Sequence, residues 1–215
     1  MKYLKILGLA AIAAAALMAF AGSASATTLT CTEPAGTKVT CPKGTLIESS
    51  SEGHAVLDNE ALGNVECNSK VAGKTSNAGS STETVSGNIE TLTFENCTSA
   101  VVVVLAKGTL EIHTEYTKEA DGHETQKTAS TNNGTLTSTG AEVTVEKFGF
   151  HCIFKTNGTD LGTVTGSSNK GGATATLDIS ARIPRTGGRS GIFCGESSPW
   201  TGSYIVNKPD WMDVD

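Results

Sequence analysis

The 215-residue chain carries 16 basic and 22 acidic side chains, a net charge of −6, and its aromatic content is only 5%. An acidic balance lacks the basic footprint of nucleic-acid recognition and disfavours anionic membrane surfaces, which excludes both as partners. So few aromatics leave a thin core, of the kind that disulfides brace.

Residues 1–26 read as a secretory signal peptide. Lys2 and Lys5 form a positive start, Ile6 to Phe20 is an uncharged apolar run, and Ala24-Ser25-Ala26 supplies small residues for cleavage after Ala26. The run is roughly 15–17 residues, short of the about 20 that a membrane span needs. No twin-arginine pair is present, which favours the general secretion route, and no membrane anchor is expected after cleavage. Loss of Lys2 and Lys5 takes the net charge of the secreted form to −8.

From residue 27 to 215 the expectation is a single secreted domain, with a possible subdivision near 98–108. Strand-like runs follow one another: Thr28–Cys31, Lys38–Cys41, Thr45–Glu48, His54–Leu57, Asn64–Asn68, Glu83–Val85 and Glu90–Asn96. Gly53–Leu62 is the one helix candidate, and His54–Leu57 reads better as a strand. Ser69–Thr84 is rich in Ser, Gly and Thr and reads as a long loop. Val101–Leu105, five apolar residues in succession, reads as a central strand covered on both faces.

The second half adds Thr109–Tyr116, Thr135–Ser138, Glu142–Lys147, His151–Lys155, Gly162–Thr165, Ala173–Ile183 and Ser203–Val206. In Thr174–Ile183, Leu177, Ile179, Ala181 and Ile183 alternate with Asp178, Ser180 and Arg182, which implies one buried and one wet face. Asp121-Gly122, Asn133-Gly134 and Asn157-Gly158 read as tight hairpin turns. Short alternating strands with frequent turn signals predict an all-β, antiparallel two-sheet β-sandwich, Ig-like or jelly-roll-like. A membrane barrel would instead show strands of about ten residues and aromatic girdles.

All six cysteines lie after the leader: Cys31, Cys41, Cys67, Cys97, Cys152 and Cys194. An even count in an oxidising compartment predicts three bridges. Six cysteines allow 15 pairings; the preferred set is sequential, Cys31–Cys41, Cys67–Cys97 and Cys152–Cys194. Nothing has the tight C-x-x-C spacing of a zinc site.

The common catalytic motifs are absent: no G-x-S-x-G, H-E-x-x-H, P-loop or G-x-G-x-x-G after a strand. Glu111, His113 and Glu115 alternate along a strand and share one face. Two carboxylates about an imidazole are weak candidates for a divalent metal or for acid–base work, against the plainer reading of a solvated face with Leu110 and Ile112 packed inward. Arg182, Arg185 and Arg189 are the chain's three arginines, and Trp200 follows them. Arginine and tryptophan are enriched in binding hot spots, so these four are the candidate contact surface. The alternative places Trp200 in the core beside Cys194. No cofactor is implied.

Gly108-Thr109-Leu110-Glu111-Ile112-His113, Leu177-Asp178-Ile179-Ser180-Ala181, and Phe193-Cys194 followed by Pro199-Trp200-Thr201-Gly202-Ser203-Tyr204 resemble secreted β-rich proteins of soil actinobacteria. The resemblance implies secretion and a β fold, and it brings no active site with it. The functional expectation is a non-enzymatic extracellular binding or matrix protein, partnered by a glycan, a cell surface or another copy through sheet edges. The alternative is a secreted hydrolase acting on glycan or lipid, with His113 and its neighbours as the chemistry.

Overall fold

The computed structural model describes residues 27–32, 37–59, 62–80, 83–114, 116–118, 124–126, 133–167, 174–189 and 194–214. Residues 1–26, read above as a signal peptide, Glu115 and Asp121-Gly122 lie outside them. The protein is all-β with antiparallel pairing, and among the described residues there are eighteen strands.

Eight of these strands close a ring: β3 (Leu46–Ser51), β5 (Val65–Thr75), β7 (Val85–Glu95), β9 (Thr109–Thr114), β12 (Asn133–Thr139), β15 (Thr159–Thr165), β16 (Thr176–Arg189) and β17 (Ser197–Lys208). Each pairs with the next, and β17 pairs back onto β3. β4 (Ala55–Leu57) continues the course of β3 beyond a break at 52–54, again between β5 and β17. A closed ring leaves no free edge in its own circuit.

Alternation decides what faces where. Val65, Cys67, Ser69, Val71 and Gly73 of β5 point inward, as do Leu177, Ile179, Ala181 and Ile183 of β16 and Ser198, Trp200, Tyr204 and Val206 of β17. Lys70 and Lys74 of β5 and Asp178, Ser180 and Arg182 of β16 face solvent. Apolar inside and polar outside is the reverse of a membrane-spanning barrel.

The two ends of the ring are covered differently. At one end, β1 (Thr27–Thr32), β2 (Lys38–Thr40) and β18 (Met212–Val214) form a small sheet. It sends Leu29, Met212 and Val214 into the core. At the other end, β16 runs on past the ring for its last residues and pairs with β14 (Phe150–Lys155). β13 (Glu142–Lys147) and β8 (Val101–Ala106) follow outward in order. The inner face of this outer sheet, with Val102, Val145 and Phe154, closes over that end.

The three disulfides join Cys31 to Cys41, Cys67 to Cys97 and Cys152 to Cys194, in chain order, and no described cysteine is free. Cys31–Cys41 clips the cap sheet, and Cys67–Cys97 ties the loop after β7 to β5. Cys152–Cys194 ties the outer sheet to the approach to β17. Each such link contributes roughly 2–4 kcal/mol, chiefly by restricting the unfolded chain. Three bridges suit an oxidising environment.

Four expectations need correction. Ser69–Thr84 is not a loop, since β5 runs unbroken through it to Thr75. Its inward positions are small because neighbouring backbone comes close: a Cβ on Gly73 would lie 2.4 Å from the Asn88 carbonyl oxygen. Val101–Leu105 is not central, because β8 ends the strand order and exposes alternate side chains. Asn133-Gly134 lies inside β12, where Gly134 lets β12 sit close to β9 and to Val214. Asn157-Gly158 joins β14 to β15, which do not pair with each other; both pair with β16, so this is a corner from the outer sheet into the ring. The hairpin joining β13 to β14 turns instead on Phe148-Gly149, both at positive φ (52° and 82°).

Candidate functional site

Glu111 and His113 lie on the outer side of β9, with Ile112 buried and Leu110 half-buried on the inner side. His113 Nε2 is 3.6 Å from Glu111 Oε2, and the same nitrogen is 3.4 Å from the Thr137 hydroxyl. Glu111 is exposed and His113 half-exposed among the described residues, so water screens this pair. Among the described residues no three His, Cys, Asp or Glu side chains converge to hold a metal ion.

The arginines and Trp200 do not form one surface. Arg182 is exposed on the outer face of β16. Arg185 donates from Nε to the Gly195 carbonyl at 2.6 Å. Arg189 ends β16 opposite His151, and its side chain lies outside the described residues. Trp200 turns the other way, into the ring, where its indole meets Phe94 edge-on at 5.9 Å between centroids.

Three voids line up along the inside of the ring. The first, about 60 Å³, lies toward the cap sheet between Val71, Leu110, Leu136, Leu177 and Met212. The second, about 30 Å³, is at mid-ring, walled by Leu161, Ile179, Trp200 and Tyr204. The third, about 40 Å³, lies under the outer sheet between Leu92, Val102, Phe154, Ile183 and Trp200. Neighbouring voids share walls: Val71, Leu110, Leu136 and Leu177 between the first two, and Leu92, Ala141 and Trp200 between the last two. Apolar cavities of this kind stay dry and accept apolar guests.

Most buried hydroxyls in the interior are satisfied. The Ser138 and Thr156 hydroxyls meet at 3.0 Å, and the latter also accepts from Ala141 N–H. Ser49 donates to the Val71 carbonyl, and Ser198 to that of Asp58. Ser69 Oγ, Thr93 Oγ1, Trp200 Nε1 and Tyr204 Oη are buried without a hydrogen bond of full geometry, and Tyr204 has Ser69 and Trp200 as its hydrogen-bonding neighbours. Tyr204 and Ser69 are each 1% exposed. Burial pushes the Tyr204 hydroxyl up to about 12, although the nearby Ser69 and Trp200 groups pull it the other way. The hydroxyl therefore keeps its proton at ordinary pH and can donate it.

Sequence reasoning placed Trp200 among contact residues or in the core and did not single out Tyr204 or Ser69. The signal was present: Ser198, Trp200, Tyr204 and Val206 sit two or four apart, so polar-tipped aromatics occupy an inward-facing row.

Fold and interior together define a disulfide-bonded all-β protein with an apolar, incompletely filled centre. No family model and no curated protein matches the chain. It is similar to the solved structure of DynF from the dynemicin biosynthesis pathway of Micromonospora chersina, at 11% identity and a TM-score of 0.43. The match covers 81% of this chain and 82% of that one. A likeness of that size carries neither fold nor function across.

Proposed function

We propose that this is a non-enzymatic extracellular binding protein that holds its ligand inside the ring of strands. The observation that carries this reading is the row of three adjoining apolar voids. Eight-stranded closed sheets are wide enough either to pack solid or to hold one small ligand. The two facing layers expected from the sequence are, in this reading, opposite walls of the ring. Secretion follows from residues 1–26, which export removes after Ala26, and from three bridges suited to an oxidising compartment.

Xenon, a compact apolar atom that voids of this size can admit, tests the reading by xenon NMR titration. Saturable uptake is expected. Val71→Phe, which puts a ring into the wall shared by two voids, should abolish it in a protein that still melts cooperatively. No saturable uptake by the wild-type chain would remove the interior as a binding site.

A second reading has its own observation. Among the described residues β8 pairs only with β13, and its outward Val101, Val103 and Leu105 are 58%, 41% and 50% exposed. Edge strands of this kind recruit further strands. The partner proposed is a second copy. Antiparallel pairing about Val103 would set Val101 against Leu105 of the other copy and bring no charge to the seam. Two six-residue edges bury well under the roughly 1,000 Å² of a stable interface, so this association is weak and rises with concentration. Adhesion or matrix building would follow from it, and sedimentation across a concentration series measures it.

A further inference from the structure

We propose that the corner Asn157-Gly158 is a self-modification site, where the backbone nitrogen of Gly158 attacks the side-chain amide of Asn157 and converts it to aspartate and isoaspartate. The inference is independent of what the ring binds.

The chain holds two Asn-Gly pairs, Asn133-Gly134 and Asn157-Gly158. Glycine favours the attack because it carries no side chain to crowd the nitrogen and lets the backbone turn freely. The fold sets the two pairs apart. Gly134 is buried in β12, paired with Thr114 of β9 on one side and Val164 of β15 on the other. A Cβ on it would lie 2.9 Å from the His113 carbonyl oxygen. The attack needs the peptide to leave its extended course, and both neighbouring strands hold it there. Gly158 instead stands exposed at φ +61°, and a Cβ on it would meet nothing within 4 Å. Asn157 is exposed too, and its side-chain amide makes no hydrogen bond among the described residues. One restraint remains: Gly158 N–H donates to the Thr139 hydroxyl at 3.0 Å, in an exposed contact. A hydrogen bond open to water contributes little net, so it slows the step without stopping it.

The chemistry needs only water. The Gly158 nitrogen gives its proton to solvent and bonds to Cγ of Asn157. The Cγ–Nδ2 bond breaks, and Nδ2 takes up a proton and leaves as ammonia, which closes a succinimide ring. Water then opens that ring. Cleavage between Cγ and the nitrogen gives aspartate. Cleavage between the nitrogen and the main-chain carbonyl gives isoaspartate, whose backbone runs through the former side chain and is one methylene longer. Nothing is oxidised or reduced, and either product adds one negative charge.

The position gives the change a structural consequence. Asn157 follows Thr156, which exchanges backbone hydrogen bonds with Gly140 and Ala141 at 2.9 Å each and whose hydroxyl meets Ser138. This clamp fixes the corner at which the chain passes from the outer sheet into the ring. A longer backbone beside it loosens that tie, so the modification accumulates with time where the two parts of the fold join.

Peptide mapping by mass spectrometry reads both pairs at once in the full chain, kept warm at mildly alkaline pH with its disulfides intact. The Asn157 peptide should gain one mass unit about tenfold or more faster than the Asn133 peptide, because only the latter needs the sheet to open first. In denaturant the two should convert at comparable rates. Thr139→Val should speed conversion at Asn157 about threefold, the effect of one exposed hydrogen bond. In Asn157→Ser, the more acidic species that wild-type chain accumulates on anion exchange should not form.

An Asn157 peptide that stays intact in the folded chain while the denatured chain converts would overturn the proposal. Equal rates for the two pairs in the folded chain would do the same, as would an acidic species that still accumulates in Asn157→Ser. An unchanged rate in Thr139→Val would remove the Thr139 contact as the restraint on the corner.

Discussion

The ring interior and the β8 edge depart from the usual partition of side chains in opposite directions. Inside, Tyr204, Trp200 and Ser69 bury their polar groups beside one another. Outside, Val101, Val103 and Leu105 expose apolar surface on a strand that, among the described residues, pairs on one side only, and Phe148 stands 81% exposed at the tip of the neighbouring hairpin. Scattered exposed apolar residues are ordinary, but a row of them along a sheet edge marks a contact. Both regions are incomplete without something else. The interior leaves voids of about 30–60 Å³ for a compact apolar guest, and the edge leaves room for another strand. The first need is enclosed; the second is open and specific only in shape.

The largest effect comes from separating the two regions through the glycines that attach strands to β16. Gly162 sits at φ +140°, and a Cβ there would lie 2.0 Å from the Asp178 carbonyl oxygen. Gly162→Ala should therefore push β15 from β16 and open the ring, costing about 3 kcal/mol or more. Gly188, at φ +118°, has the same contact with the His151 carbonyl, but in the seam between β14 and β16. Both seams hold four registered pairs, but this one lies at the far end of a 14-residue strand and is not part of the ring. Gly188→Ala should cost less, about 1–3 kcal/mol. Denaturant titration of both variants measures the difference. Equal losses would mean that ring and outer sheet unfold as one unit.

Next in size is the pH dependence set by Tyr204. Its hydroxyl is raised from 10.0 to about 12 in the folded chain, with desolvation as the main cause. Between those values the unfolded chain releases this proton and the folded chain keeps it. The contribution is thus fully present below the unfolded value and is lost as pH rises toward the folded one. Stability should fall by about 2–3 kcal/mol across that window. Tyr204→Phe should flatten this part of the curve. Near neutral pH it should change stability by no more than about 1 kcal/mol, because the hydroxyl it removes has only Ser69 and Trp200 as neighbours, without full hydrogen-bond geometry. A larger loss at neutral pH would show that those two neighbours satisfy the hydroxyl.

How far these regions were legible in the sequence depends on what each residue answers to. Leu177, Ile179, Ala181 and Ile183 read correctly as a buried row because local alternation decides it. The β nature of the chain was legible for the same reason. Ring closure was not, because β16 and β17 pair with partners far apart in sequence and no local pattern encodes which strand comes last. β5 was partly missed because Ser69, Gly73 and Thr75 look like loop residues. Gly73 is small for a tertiary reason, the close approach of the Asn88 backbone of β7. Val101–Leu105 misled in the other direction. Its continuous apolar run has the composition of a central strand, but no described residue covers its outward face. The Phe148-Gly149 turn carries no sequence cue, since phenylalanine rarely accepts positive φ. Of the candidate site, Trp200 was singled out for its type. Its inward aim emerged only once β17 was known to begin at Ser197, which puts Trp200 and Tyr204 on one face.

The smallest effect on stability tests the outer region. Val103 sits mid-strand on β8 and faces solvent. Val103→Lys should change folding free energy by no more than about 0.5 kcal/mol, as exposed substitutions generally do. A lysine on an edge strand nevertheless opposes pairing with a second copy, because antiparallel pairing about this position would set two lysines face to face. Wild-type chain should show a weight-average mass that climbs with concentration in sedimentation equilibrium, and Val103→Lys should hold the monomer mass throughout. The variant should keep its xenon uptake, since Val103 lines none of the three voids. Lost xenon uptake in Val103→Lys would couple the two regions through β13 and the wall beneath it. A wild-type chain that stays monomeric at its highest soluble concentration would remove the assembly reading and leave the ring interior as the departure that points to a partner.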